Sequence, residues 1–249
     1  MKQLHLSEIA QHLEGIEETI VFKLIDRAQY RVNAVIYENG KSGFEGSVEK
    51  SLFELRLRFQ EEMDAQFGRF CVPEERPFTA MLPPPRRKVT LPETGLAIKE
   101  YDRINLTEDI VAGYRPFVGA ICAEGDDGQY GSSVEHDVYA LQAIARRVHY
   151  GSLYVAECKF REAPALFGGL ADARDSDGLL RQLTRKEVED GIVLRVRAKA
   201  VAVQATVNTS IRRAIDPDVI VHFFRDCIIP LTKKGEVRYM LNRIKDHGV

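Results

Sequence analysis

The sequence predicts an all-α fold: a single multi-helix domain spanning residues 1–249, with long amphipathic helices and no substantial sheet. Three observations lead there. Apolar side chains recur every three or four residues through long stretches, which is the period of one helix face. Serine, threonine and acidic residues precede several of these stretches, where helix starts favour them. The chain has 249 residues, 45% of them hydrophobic, enough to bury a sizeable core.

Residues 7–31 predict one long helix, with Ser7 as N-cap and Ile9, Leu13, Ile16, Ile20, Leu24 and Ala28 on its buried face. Residues 48–67 predict a second, with Leu52, Leu55, Leu57, Phe59, Met63 and Phe67 as its stripe. Residues 74–106 show little periodicity and carry "MLPPPRRKVTLPETG". Proline fixes φ and removes a donor, so this connecting segment is expected to run extended over the surface. Helix resumes at Thr107, with Glu108 and Asp109 in its first turn. Pro116 is expected to kink that helix or begin a new one. "EGDDGQYGSS" reads as a turn-rich loop, and Ser132 or Ser133 is the candidate cap of a long helix holding "ARRVHYGSLYVAECKF", residues 145–160. Pro164 should interrupt or end that helix. Residues 176–184 predict a short helix, and 216–245 a last helical region containing Pro230. Residues 191–207, "GIVLRVRAKAVAVQATV", alternate like a strand for part of their length yet are rich in helix-compatible residues. Periodicity leaves the two open there.

Composition excludes several function classes. A formal charge of −2 and a pI near 6.3 give no polybasic signature, so nucleic acid and anionic membrane are not expected partners. No segment approaches 18 apolar residues and the N-terminus lacks a signal-peptide core, so a cytoplasmic protein is expected. Cys71, Cys122, Cys158 and Cys227 are scattered, without CxxC spacing, and read as buried thiols in a reducing compartment. Gly125, Gly128 and Gly131 make neither GxGxxG nor a phosphate loop, and read as a turn feeding a helix N-terminus. Such an end suits a carboxylate. There is no HExxH, no GxSxG and no Cys/His cluster, so no metal and no cofactor are expected. His149 reads as a packed, hydrogen-bonded side chain. An enzyme built this way works through binding and electrostatics. What remains is Arg147, Lys159, Glu189 and Glu236, charges at otherwise apolar helix positions. Each alone reads as a solvated face or a surface ion pair.

Four stretches together resemble the eukaryotic-type, all-helical chorismate mutase family. "EETIVFKLIDRAQY" (17–30) is similar to the family's EDxIIFxLIERAQF, and "RFCVPEERPF" (69–78) to its RYxxPEExPF. "GDDGQYGSS", "LQAIARRVHYG" and "VAECKF" (125–160) resemble its GDDGNYGSS, LQALSRRIHYG and VAEAKF. "IIPLTKKGEVRYMLNR" (228–243) resembles its IIPLTKEVEVEYLLRR. The matches span nearly the whole chain in the family's order, and the third block is the most specific. The resemblance favours helix for 191–207. It implies a cofactor-free homodimer that converts chorismate to prephenate, a [3,3]-sigmatropic rearrangement in phenylalanine and tyrosine synthesis.

By position, the resemblance assigns Arg147 to a substrate carboxylate. Lys159 goes to the ether oxygen and a carboxylate, and Glu236, protonated, to the ether oxygen. Thr232 takes a carboxylate, and Glu189 takes the ring hydroxyl or helps order the site. Arg185 stands where the family has asparagine and adds a cation without an assigned role. Ala10 stands where the family has arginine. Losing one charged clamp costs roughly 2–4 kcal/mol of transition-state binding. The alternative is therefore a weakened homologue that binds an aromatic metabolite or a protein partner. Gly131, Ser132 and Arg69 match an effector site that takes tyrosine or tryptophan at the dimer interface. There Gly68 replaces one arginine, and Glu135 occupies a position often small or hydroxylated. One geometric expectation follows from spacing. Arg147 and Lys159 are twelve residues apart here and eleven in the family, and twelve turn a regular helix about 120° off a shared face. A π-bulge near Gly151–Tyr154 is expected to absorb the extra residue.

Overall fold

A computed structural model describes residues 3–244. Ten α-helices occupy most of them, and among the described residues the only β pairing is an isolated bridge between Arg31 and Ala123. Helix α1 (Leu6–Arg27) buries Ile9, Leu13, Ile16, Ile20 and Leu24, as its periodicity requires. It begins one residue before Ser7. His5 is the N-cap, so Ser7 lies inside the first turn and caps nothing.

Helix α2 (Leu52–Gln66) starts later than its apolar run suggests, because Ser51 and Glu54 close a reciprocal capping box. Its register also differs from expectation. Leu55 and Leu57 of the expected stripe are buried, with Phe53, Glu61 and Ala65, while Phe59 (48%), Met63 (48%) and Phe67 (67%) are exposed. The reason is Glu61. Its carboxylate accepts the backbone N–H groups of Phe78 (2.9 Å) and Thr79 (2.7 Å) and anchors the irregular segment after the helix. A charged residue thus holds a core position, which hydrophobic periodicity cannot reveal.

The connecting segment is irregular until a short turn at Tyr101–Ile104, but Ala97 and Ile98 are buried in it. Helix α3 (Thr107–Ile121) runs through Pro116 as one helix. Helix α4 (Tyr130–Tyr150) is preceded by Gln129, and neither Ser132 nor Ser133 caps it. Asp127 does the ordering instead, accepting from Gln129 N and Asn33 Nδ2, both at 2.9 Å. Ser133 is fully buried and accepts from Asn33 Nδ2.

Beyond α4 the chain widens into a π-turn, Gly151–Val155, then continues as α5 (Ala156–Glu162). The expected bulge is present. Pro164 opens α6 (Pro164–Asp172), and α7 (Ser176–Leu183) follows. Residues 191–207 fall mostly in α8 (Lys186–Gln204), a helix in which only Val196 and Ala200 are fully buried, so its period is weak. The last region is α9 (Pro217–Phe223), a second π-turn at Phe224–Ile228, and α10 (Ile229–Asn242). Pro230 is the second residue of α10, directly after the π-turn, and the helical run from Pro217 to Asn242 continues through it. Residue 245 of the expected helix lies outside the described residues.

The main core packs α1, α3, α4, α8 and α9 together. A second cluster joins α10 to α5, α6 and α7. Between them α4, its π-turn and α10 are drawn close. A Cβ on Gly235 would collide with the Ser152 hydroxyl, and one on Gly151 would lie 2.8 Å from Thr232 Cγ2. Ser152 shares its one hydroxyl proton between the Val148 (2.7 Å) and Thr232 (3.1 Å) carbonyls and ties the turn to α10. The four cysteines are free, Cys122 and Cys158 buried, Cys71 and Cys227 half-buried. No helix among the described residues is long and apolar enough to cross a membrane.

Candidate active site

A cavity of about 380 Å³ opens where α1, α4, α5, α8 and α10 meet. That volume suits a small organic ligand. Arg147 reaches it from the last turn of α4 and Lys159 from α5, one on each side of the π-turn. The widened turn therefore restores the shared face that twelve α-helical residues would have lost. Thr232 and Glu236 enter from successive turns of α10, Glu189 from the first turn of α8, and Arg185 from the residue before α8. All six sequence-predicted substrate residues thus line one space. Ala10 lines it too, so no cation comes from the first turns of α1.

The polar side chains hold one another. Arg147 donates from Nη1 to Thr232 Oγ1 (3.0 Å) and from Nη2 to Glu17 Oε1 (3.1 Å). Lys159 donates to Glu236 Oε2 (2.8 Å) and to the Leu183 carbonyl (2.7 Å). Arg147 and Lys159 are both buried, at 2% and 7% exposure. Burial pushes the Glu236 carboxyl above its ordinary range; the neighbouring Lys159 and Arg147 offset this only in part. A desolvated acid beside cations is poised to hold or release one proton.

Three wall residues escaped the sequence reading: Glu17, Arg195 and Lys233. Arg195 donates from Nε to Glu17 Oε2 (3.1 Å), and Lys233 pairs with Glu189 (3.0 Å). Glu17 had a legible signal, since it follows Leu13 by four and precedes Ile20 by three on a buried face. Arg195 likewise continues the Val188–Ile192 row of α8.

His149 is structural. Its Nε2 accepts the Leu106 N–H at 3.0 Å, and burial lowers its pKa to about 3, so it stays neutral. The residues matched to an effector site do not meet within one chain. Arg69 is held by Asp64 (3.0 Å), Glu75 (3.0 Å) and Gln142 (2.7 Å). Gly131 and Ser132 lie in the first turn of α4, about 15 Å of helix away from Gln142. No group of His, Cys, Asp and Glu among the described residues is arranged to hold a metal ion.

No family model matches the chain. Whole-chain comparison does give relatives. Chorismate mutase 1, chloroplastic, of Zea mays is 34% identical over 260 residues, covering 97% of this chain and 79% of that one. The chorismate mutase of Schizosaccharomyces pombe is 33% identical over 250 residues, covering 98% of both. Among solved structures, the Aro7p chorismate mutase of Candida albicans in complex with L-Trp superposes with a TM-score of 0.89. It is 33% identical and covers 98% of this chain and 94% of its own. AtCM1 with phenylalanine in its allosteric site gives 0.86 at 34% identity, with 97% of each chain covered. A third of the residues are shared over nearly the full length of this chain, on the same all-helical frame, and this protein belongs to the eukaryotic chorismate mutase family.

Proposed function

We propose that this chain rearranges chorismate to prephenate in the cavity between α1 and α10. The convergence of Arg147, Lys159, Thr232, Glu189 and Glu236 on one cavity supports the reading. The reaction is unimolecular and needs no nucleophile. The protein must hold a dicarboxylate in its compact conformer, which removes an entropic barrier. It must also stabilise the negative charge that develops on the breaking ether oxygen.

Each side chain has a role under this reading. Arg147 exchanges part of its pairing with Thr232 and Glu17 for a bidentate grip on a substrate carboxylate. Thr232 then turns its hydroxyl proton from the Ile228 carbonyl to the same carboxylate. Lys159 approaches the ether oxygen from one side and the Glu236 carboxylic acid donates from the other. Glu189 accepts the ring hydroxyl. Glu17, itself held by Arg195, positions the Arg147 guanidinium.

The reading extends to assembly and control. The exposed Phe59, Met63 and Phe67 face of α2 supports a homodimer. Tryptophan, phenylalanine and tyrosine occupy solved relatives, which supports an aromatic amino acid effector here. Arg69 and Ser132 stand apart within one chain, as halves of a site shared by two copies would.

The test is the loss of chorismate ultraviolet absorbance with purified protein between about pH 4 and pH 9. Arg147→Ala is expected to reduce kcat/KM on the order of a thousandfold. The absence of any rate above background across that range would refute the reading.

A further inference from the structure

The cavity wall carries five basic and three acidic side chains, so it holds an excess of positive charge. The pairing within it is selective. Glu17 holds Arg147 and Arg195, Glu236 holds Lys159, and Glu189 holds Lys233. Arg185 differs. The carboxylate it pairs with, Glu162 at 3.2 Å, does not line the cavity, and both side chains are about half exposed (49% and 51%).

Two bonds fix Arg185 beside Lys159. Leu183, two residues before it, gives its carbonyl to Lys159 Nζ. Glu162, three residues after Lys159 in α5, takes the Arg185 guanidinium. The half-exposed Arg185 side chain therefore stands on the cavity wall near the lysine, whose partner Glu236 lies one helical turn along α10 from Thr232, the partner of Arg147.

A dicarboxylate ligand needs two positive grips. Arg147 with Thr232 supplies one. Near the other grip Lys159 is a point charge already shared between Glu236 and a carbonyl, and α1 adds no cation to the wall, only Leu6, Ala10, Leu13 and the acid Glu17. A planar guanidinium suits that second carboxylate better than an ammonium alone.

We propose that Arg185 is the second carboxylate clamp of this enzyme. On substrate entry its guanidinium leaves Glu162 for the carboxylate nearest Lys159. Glu162 acts as a place-holder that competes with substrate. An exposed ion pair of this kind holds its partner weakly, so exchange for a ligand carboxylate in a drier site is easy. The inference rests on the chorismate reading above, and adds to it the second cationic grip.

Steady-state kinetics with chorismate test it, using the wild type, Arg185→Ala, Glu162→Gln, and Arg185→Ala combined with Ala10→Arg. Circular dichroism checks that each is folded. Arg185→Ala is expected to lower kcat/KM on the order of 100-fold. Glu162→Gln, freed of the competitor, should lower KM about twofold to fivefold. The combined variant should recover about tenfold over Arg185→Ala, because an arginine at position 10 supplies a guanidinium from α1. An active wild type with Arg185→Ala within about threefold of it overturns the clamp alone. So does a Glu162→Gln KM raised as far as that of Arg185→Ala, the mark of a structural brace. An inactive wild type overturns the chorismate reading and the clamp with it.

Discussion

Glu236 is the residue whose chemistry depends most on its surroundings. It is 4% exposed and touches Lys159, yet burial raises its pKa. An incoming dicarboxylate adds negative charge and draws Lys159 toward itself, and both effects raise that pKa further. The acid form donates to the ether oxygen, so activity should be highest below the Glu236 pKa and fall as pH rises through it. Glu236→Gln keeps a donor at every pH. Its kcat/KM profile should lose the descending limb, with the largest gain over wild type at the alkaline end. A profile that still falls as the wild type does would place the titrating group elsewhere. At this scale Arg147, Lys159 and Glu236 were visible as charges in apolar rows, but only the family resemblance, not the pattern, separated them from ordinary surface charges. Glu17 and Arg195 were harder to see because their partners are each other and Arg147, brought together from three helices.

The elements show where pattern succeeds and where it stops. Helix α1 buries a regular stripe and was readable in type and face, and α4 was readable as a long helix. Helix α2 was readable as a helix but not in register, because Glu61 occupies a core slot to serve two backbone N–H groups. Helix α8 buries so little that its periodicity was ambiguous, and only the family resemblance decided it. The π-turn was legible from a count of residues between two functional positions. Its packing was not. Gly235 lets α10 approach the turn until Ser152 fills the space a Cβ would need. Gly235→Ala should therefore destabilise the fold by about 1–3 kcal/mol through overpacking. Chemical denaturation reads this as a lower midpoint at unchanged m-value. Because Thr232 moves with the turn, the same variant should also raise KM. Wild-type stability would show that the contact relaxes freely.

For the whole molecule, the exposed apolar face of α2 is the main unbalanced feature. Phe59 and Phe44 lie with ring centroids 6.0 Å apart, and Met63 and Phe67 extend the patch along the helix. Bare aromatic area of this kind marks an interaction surface. Sedimentation should give the mass of two chains, and Phe59→Glu with Met63→Glu should shift it to one. The thermal midpoint of the wild type should then rise with protein concentration. A wild type that sediments as one chain at micromolar concentration would leave the patch without this explanation.

The widened turn at Gly151–Val155 also separates counting from location. Arg147 and Lys159 reach one cavity although the number of residues between them is not what a regular helix would demand. A sequence position in this stretch is therefore no spatial address. Two chains can differ in length by one residue here and still offer the same two cations to the same ligand. The turn acts as a buffer for insertions: it takes up a change of length within a single loop of helix and spares everything downstream the rotation of about 100° per residue that would otherwise follow.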